Sequence, residues 1–183
     1  MIRTIISAEE AFERLKQGNQ EYIEQEFNPN DISPEIRLHT FENGQNPFAM
    51  VIACSDSRVI PEALFSVGIG EIFTVRIAGN VVGEHELGCV EYAAHHLGVP
   101  LVVVLGHTDC GAVHAAIHGE VSGYVGAITK KIRKACGEEK NPSYASARNA
   151  IYNAEKIREV FKDQITVKAA IYHTHHGLVE WVE

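Results

Sequence analysis

Two short polar clusters, CSDSR at 54–58 and HTDCG at 107–111, concentrate the side chains able to hold a metal or move a proton. Together they offer two thiols, an imidazole, a carboxylate and a guanidinium. Cys54, His107 and Cys110 make a Cys2His set suited to zinc, and three protein ligands leave one coordination position open. Read singly, each residue has an ordinary explanation. A cysteine closing an apolar run packs, a histidine beside a loop is solvated, and Asp56 with Arg58 forms a surface ion pair. The joint pattern at the tips of two apolar runs favours the metal site. A cysteine phosphatase loop also combines thiolate and arginine, but it needs a longer spacing than the three residues between Cys54 and Arg58. The other two of the four cysteines, Cys89 and Cys136, fall on helical patterns and read as packing residues.

Rigid elements must present these clusters. The run FAMVIA at 48–53 is short and wholly apolar, the signature of a strand buried on both faces, and Cys54 ends it. LVVVL at 101–105 is the strongest such signal, and GHTDCGA follows it, with Gly106 and Gly111 read as allowing tight turns. EIFTVRIA at 71–78 reads as another strand, closed by Gly79 and Asn80. Helical patterns cover 7–26, with Ser7 and Glu10 in capping-box spacing and Gly18 weakening the middle. They recur near 35–41, at PEALF, and over 86–97, 111–119, 124–136 and 144–162. FNPNDISP breaks the chain after the first helix, and 167–175 with 178–182 form a terminal strand pair. Strands separated by helices predict an α/β fold: a mostly parallel central sheet flanked by helices. Ligands bind such sheets outside the carboxyl ends of the strands, where both clusters fall. The expected organisation is one domain over 1–183, an N-terminal helical arm (1–43) and an α/β zinc-binding core (44–183).

Composition narrows the function classes. The 183 residues carry 16 Lys plus Arg against 24 Asp plus Glu, a net charge of −8 without a basic run. Nucleic acid and anionic lipid are therefore unfavoured partners. No segment approaches the roughly 18–20 apolar residues of a membrane span. The start, MIRTIISAEE, has one basic residue and a very short apolar stretch before its acidic residues, so no secretory signal is expected. A cytoplasmic, reducing setting is expected, in which cysteines serve as ligands, reactive thiols or packing groups and not as disulfides.

CSDSR and HTDCG, with VRIAGN and VEYA between them, resemble the β-class carbonic anhydrases over about 44–120. The resemblance implies one Zn2+ per subunit held by Cys54, His107 and Cys110, with Asp56 and Arg58 as the dyad beside it. The implied activity is reversible hydration of CO2 to bicarbonate and a proton through a zinc-bound hydroxide. Closed-state members carry a tryptophan where this chain has Val51. Gln45, Phe73 and Tyr92 instead match the pocket residues of the plant-like subgroup, which implies an open site near neutral pH. Gly111 is expected to offer its amide to substrate oxygens. A homodimer or homotetramer is implied, the N-terminal helix lying on the partner and Phe73 and Tyr92 serving the neighbour's zinc.

His85, His114, His118 and Tyr92 are candidates to carry protons away. Strand alternation puts His173 and His175 on one face, but with no acidic or thiol partner nearby in sequence the His173, His175, His176 cluster is not expected to bind metal. The alternatives are a CS2 or COS hydrolase on the same scaffold and a non-catalytic zinc module or redox sensor with Asp56 as fourth ligand.

Overall fold

Each apolar run becomes a strand because strands buried on both faces need apolar residues at every position, and helices separate them. In the computed structural model, which describes residues 6–25, 29–119 and 122–182, the chain begins with α1 (Ala8–Glu24) and α2 (Pro34–Asn43). Then follow β1 (Ala49–Ala53), α3 (Pro61–Leu64), β2 (Ile72–Arg76), α4 (Glu84–His95), β3 (Leu101–His107), α5 (Gly111–His118), α6 (Gly123–Cys136) and α7 (Pro142–Phe161). β4 (Thr166–Tyr172) and β5 (Val179–Val182) complete the order. Glu26 of the expected first helix, Phe27 and Asn28 of the expected breaker and the first five residues of the start, where no secretory signal is expected, lie outside the described residues.

The sheet order is β2-β1-β3-β4-β5. All pairings are parallel except the terminal antiparallel β4–β5 pair. The chain leaves β1 toward β2 on one side and returns to β3 on the other, so the topological switch point falls between β1 and β3. The loops diverge there and open a crevice at the carboxyl ends of those two strands. β1 and β3 are buried at every residue. One face of the sheet packs on Ala11, Leu15, Leu64 and Phe65; the other packs on Val90, Ala93, Ala150, Ala154 and Ile157. A third cluster, around Val113, Ile117 and Ile132, sits behind Cys54 and Cys110.

The first helix packs on the chain's own core through Ala11 and Leu15, and three expectations change. Asn19 Nδ2 donates to the carbonyls of Leu64 (3.1 Å) and Gly177 (2.9 Å). Its Oδ1 accepts from the amide of Val179 at 2.8 Å. Gly18 does more than weaken this helix, because a Cβ there would stand 1.9 Å from the Phe65 carbonyl oxygen. Gly106 lies inside β3 and not in a turn, since a Cβ would stand 2.7 Å from Ile171 Cδ1 and 3.3 Å from the Ser146 carbonyl oxygen. Finally, β4 stops at Tyr172, so alternation does not govern His173 and His175. The chain turns at 173–177, where Gly177 takes φ 86°.

Candidate metal centre and active site

β1 and β3 are adjacent, with Ala53 paired to Leu105, so their ends present Cys54 and His107 side by side. His107 is the last residue of β3 and not part of the loop, paired with Tyr172 of β4. Asp109 takes φ 55° in the tight turn that follows, which brings Cys110 back as N-cap of α5. Asp tolerates this left-handed region better than most residues. The ligand atoms of Cys54, His107 and Cys110 all lie within 4.8 Å of one another, and all three residues are buried. The two sulfurs are 4.0 Å apart.

The donor set fits a soft, tetrahedral cation. His107 Nδ1 lies 2.8 Å from the Thr108 carbonyl oxygen. A carbonyl only accepts, so Nδ1 carries the proton and Nε2 keeps its lone pair. Nε2 is buried without a hydrogen-bond partner. Asp56 Oδ2 stands 3.9 Å from it, too far for a hydrogen bond. A buried acceptor left unpaired is costly, and a zinc ion among two sulfurs and this nitrogen would satisfy it.

The contact between the two sulfurs shifts the two thiols in opposite directions. Donation from the Cys110 thiol holds Cys54 below the usual thiol range, against the effect of burial, and the amides of Asp56 and Gly79 add to it. The same bond, with burial, pushes Cys110 up, while the amides of Val113 and Ala112 at the start of α5 pull it back. Two backbone N–H groups point at Cys54 Sγ, from Gly79 at 3.2 Å and Asp56 at 3.4 Å.

Asp56 is gripped by Arg58. Arg58 Nε donates to Oδ1 at 2.9 Å, Nη2 to Oδ2 at 2.8 Å, and the Arg58 amide to Oδ1 at 3.0 Å. The bidentate fork holds Asp56 well below the usual carboxylate range. Arg58 Nη2 also donates to the Asp109 carbonyl at 3.2 Å, joining the two loops. Sequence reasoning missed Arg76 and Gly79. Arg76 donates to the carbonyls of Cys54 (3.2 Å) and Asp56 (2.6 Å). Both residues belong to VRIAGN, a motif whose presence was visible but whose contacts depend on the β1–β2 pairing.

The pocket candidates are not gathered around this cluster within one chain. Phe73 pairs with Met50, four residues before Cys54, which puts it about 13 Å back along the sheet. Phe73 and the exposed Tyr92 do meet, with ring centroids 5.9 Å apart. Gln45 is exposed and precedes β1, at the end of the strand opposite Cys54. Gly111 is exposed, and a Cβ there would meet nothing within 4 Å, so the space above its peptide stays open.

His114 and His118 lie side by side on the exposed face of α5, their rings tilted by 53° with centroids 4.6 Å apart, and His85 is exposed at the start of α4. His173 does have an acidic partner that proximity in sequence did not show: its Nε2 lies 2.8 Å from Glu180 Oε2 across the β4–β5 turn. Among the described residues, Cys54, His107 and Cys110 are the one group of three or more ligating side chains close enough to share an ion.

Comparison with known proteins identifies the class of molecule that this fold and site define. A family model described as carbonic anhydrase matches residues 49–179. The chain belongs to the β-class carbonic anhydrase family. It is 43% identical over 107 residues to carbonic anhydrase 2 of Mycobacterium tuberculosis, covering 58% of this chain and 51% of that protein. The carbonic anhydrase of Mycolicibacterium smegmatis is 42% identical over 128 residues, covering 67% of this chain and 61% of that one. The chain thus spans about half the length of the former and 61% of the latter. The fold is shared with a Coccomyxa β-carbonic anhydrase at TM-score 0.71 and 23% identity, over 81% of this chain and 77% of that one. A carbon disulfide hydrolase shares it at TM-score 0.59 and 17% identity, over 80% and 86%.

Proposed function

We propose that the protein catalyses the reversible hydration of CO2 to bicarbonate and a proton, with one zinc ion per subunit held by Cys54, His107 and Cys110. The observation that carries this reading is the buried Cys-His-Cys cluster with an unpartnered His107 Nε2, beside a carboxylate already committed to Arg58. When bound, zinc supplies Lewis acidity that makes hydroxide available near neutral pH.

The chain's own groups do the rest. Asp56, ionised and turned by Arg58, accepts a hydrogen bond at the mouth of the cluster and orients the attacking oxygen. Arg58 also keeps Asp56 from acting as a fourth ligand, which favours an open site over a closed structural one. The Gly111 amide and the partner subunit's Gln45 donate to substrate oxygens, and the partner subunit's Phe73 and Tyr92 form the apolar wall that a small nonpolar gas prefers. Within one chain those side chains stand at the wrong end of the strands, which supports a homo-oligomer; tetrameric β-carbonic anhydrases of Sordaria macrospora share the fold. Four unpaired cysteines favour a cytoplasmic setting. No helix among the described residues is long and apolar enough to cross a membrane.

Stopped-flow CO2 hydration on protein of measured zinc content tests the reading. The expected result is a rate far above buffer that disappears with His107→Ala or on chelation; a zinc-loaded protein no faster than buffer would overturn it. CS2 and COS run alongside decide between this activity and hydrolysis of those substrates.

A further inference from the structure

The reading of a zinc site leaves unexplained two amides buried on α7. We propose that Asn149 and Asn153 are positioning residues for that site, clamping the 79–82 segment so that the Gly79 N–H stays aimed at the Cys54 sulfur.

The segment needs a clamp. Gly79 (φ 67°) and Asn80 (φ 42°) are two successive residues in the left-handed region, which Gly and Asn visit as single residues, so the run of two is held by contacts from outside the segment. Asn149 Nδ2 donates to the Gly79 carbonyl at 2.7 Å, gripping the residue whose own N–H points at Cys54 Sγ from 3.2 Å. Asn153 Oδ1 accepts from the Val82 amide at 2.8 Å, and Lys156 Nζ donates to the Val82 carbonyl at 2.8 Å. Asn153 Nδ2 donates to Asn149 Oδ1 at 3.1 Å and to the Asn149 carbonyl at 2.8 Å, which fixes the Asn149 amide with its nitrogen toward Gly79.

Positions 149, 153 and 156 share one helix face. Asn149 is 0% exposed and Asn153 4%, on a helix that otherwise packs inward through Ala150, Ala154 and Ile157. Packing alone does not call for amides there, since burying them is unfavourable unless they are bonded. Both bond to the turn behind the sulfur. A backbone N–H on a ligating sulfur sets its orientation and lowers its donor strength, and loss of such outer partners typically weakens metal binding about 10–100-fold.

Asn149→Leu, similar in volume but without hydrogen bonds, tests this in the full chain, with Ser146→Ala as control. Ser146 is buried on the same helix, and its hydroxyl makes no hydrogen bond. In Asn149→Leu the sulfur-to-cobalt charge-transfer band of the cobalt-loaded protein should move to longer wavelength, and chelator competition should show zinc held about 10–100-fold more weakly. Far-UV circular dichroism should be unchanged, and Ser146→Ala should show neither effect. Asn153→Leu, which releases Val82 and frees the Asn149 amide to turn, should shift the band in the same direction and decides the matter if Asn149→Leu does not fold. An unshifted band with wild-type zinc affinity in a folded variant overturns the clamp, as does an equal shift in Ser146→Ala. Wild-type protein that takes up neither zinc nor cobalt overturns the zinc reading and the clamp together. Metal uptake with the predicted shift but no CO2 turnover upholds the clamp and overturns the activity alone.

Discussion

Asp56 receives three hydrogen bonds from Arg58, two from the guanidinium and one from the amide, and on the proposed function that commitment would keep the carboxylate off the metal. Arg58→Ala removes the fork and leaves a carboxylate 3.9 Å from His107 Nε2, free to turn toward the metal. The expected result is a fall of about 10–100-fold in kcat/KM with zinc content unchanged, checked by stopped-flow assay and metal analysis. The lowered pKa of Asp56 also fixes a sign. Its ion pair contributes stability that is present above the ordinary carboxylate pKa of about 3.9 and is lost only as pH falls toward the lowered value. The carboxyl carbon shift of Asp56 should therefore stay flat from about pH 8 to about pH 5 in an NMR titration; a midpoint in that window would contradict the pairing. On the proposed function, hydration activity should nevertheless rise on the alkaline side of neutrality, because the two thiolates of Cys54 and Cys110 would cancel the formal charge of a bound zinc and acidify its water less than three imidazoles would. A kcat/KM profile flat from about pH 6 to about pH 9 would contradict this. Cys136 stands apart: burial pushes its thiol up to about 11, so iodoacetamide near neutral pH should spare it in the folded protein, as read by peptide mass spectrometry.

At the scale of elements, α1 docks through its smallest residue. Gly18 lets the helix backbone reach the Phe65 carbonyl, and Asn19 then bonds both α3 and the Gly177–Val179 segment. Gly18→Ala should push the helix off the sheet and cost about 1–3 kcal/mol or more, seen as a lower Tm, despite the better helix propensity of alanine. The direction is opposite to the one helix propensity alone predicts. A Tm equal to or above wild type would contradict the docking. Most element positions were legible beforehand because they depend on local pattern: FAMVIA, LVVVL and the Ser7 cap all act within a few residues. The end of β4 was not legible, because Ile171, Tyr172 and β-branched Thr174 carry the strand-like pattern into a turn that Gly177 and the His173–Leu178 backbone bond impose.

For the whole molecule, the position of the metal cluster at the β1–β3 switch point contrasts with that of Gln45 and Phe73, which lie toward the other end of β1. If the site is completed across subunits, mixed oligomers of Cys54→Ser and Tyr92→Ala chains should be more active than the sum of the separate parents. In such a mixture one site combines an intact metal cluster with an intact neighbouring pocket. Activity no greater than that sum would overturn the shared pocket; sedimentation of both parents and the mixture confirms that assembly is unchanged.

By itself the sequence determined the chemistry: which residue types stand at the ends of which buried strands, hence a Cys2His donor set with an Asp–Arg pair beside it. Those features are local, since a strand's burial and the residues that end it are written within one stretch of chain. Only the tertiary structure decided that His107 belongs to the strand with an unpartnered Nε2, that Gly79 and Arg76 reach back to the Cys54 loop, and that α7 grips the 79–82 segment. These contacts join residues separated by 20 to 74 positions. Strand register and helix packing bring them together, and no local periodicity encodes a partner at that separation.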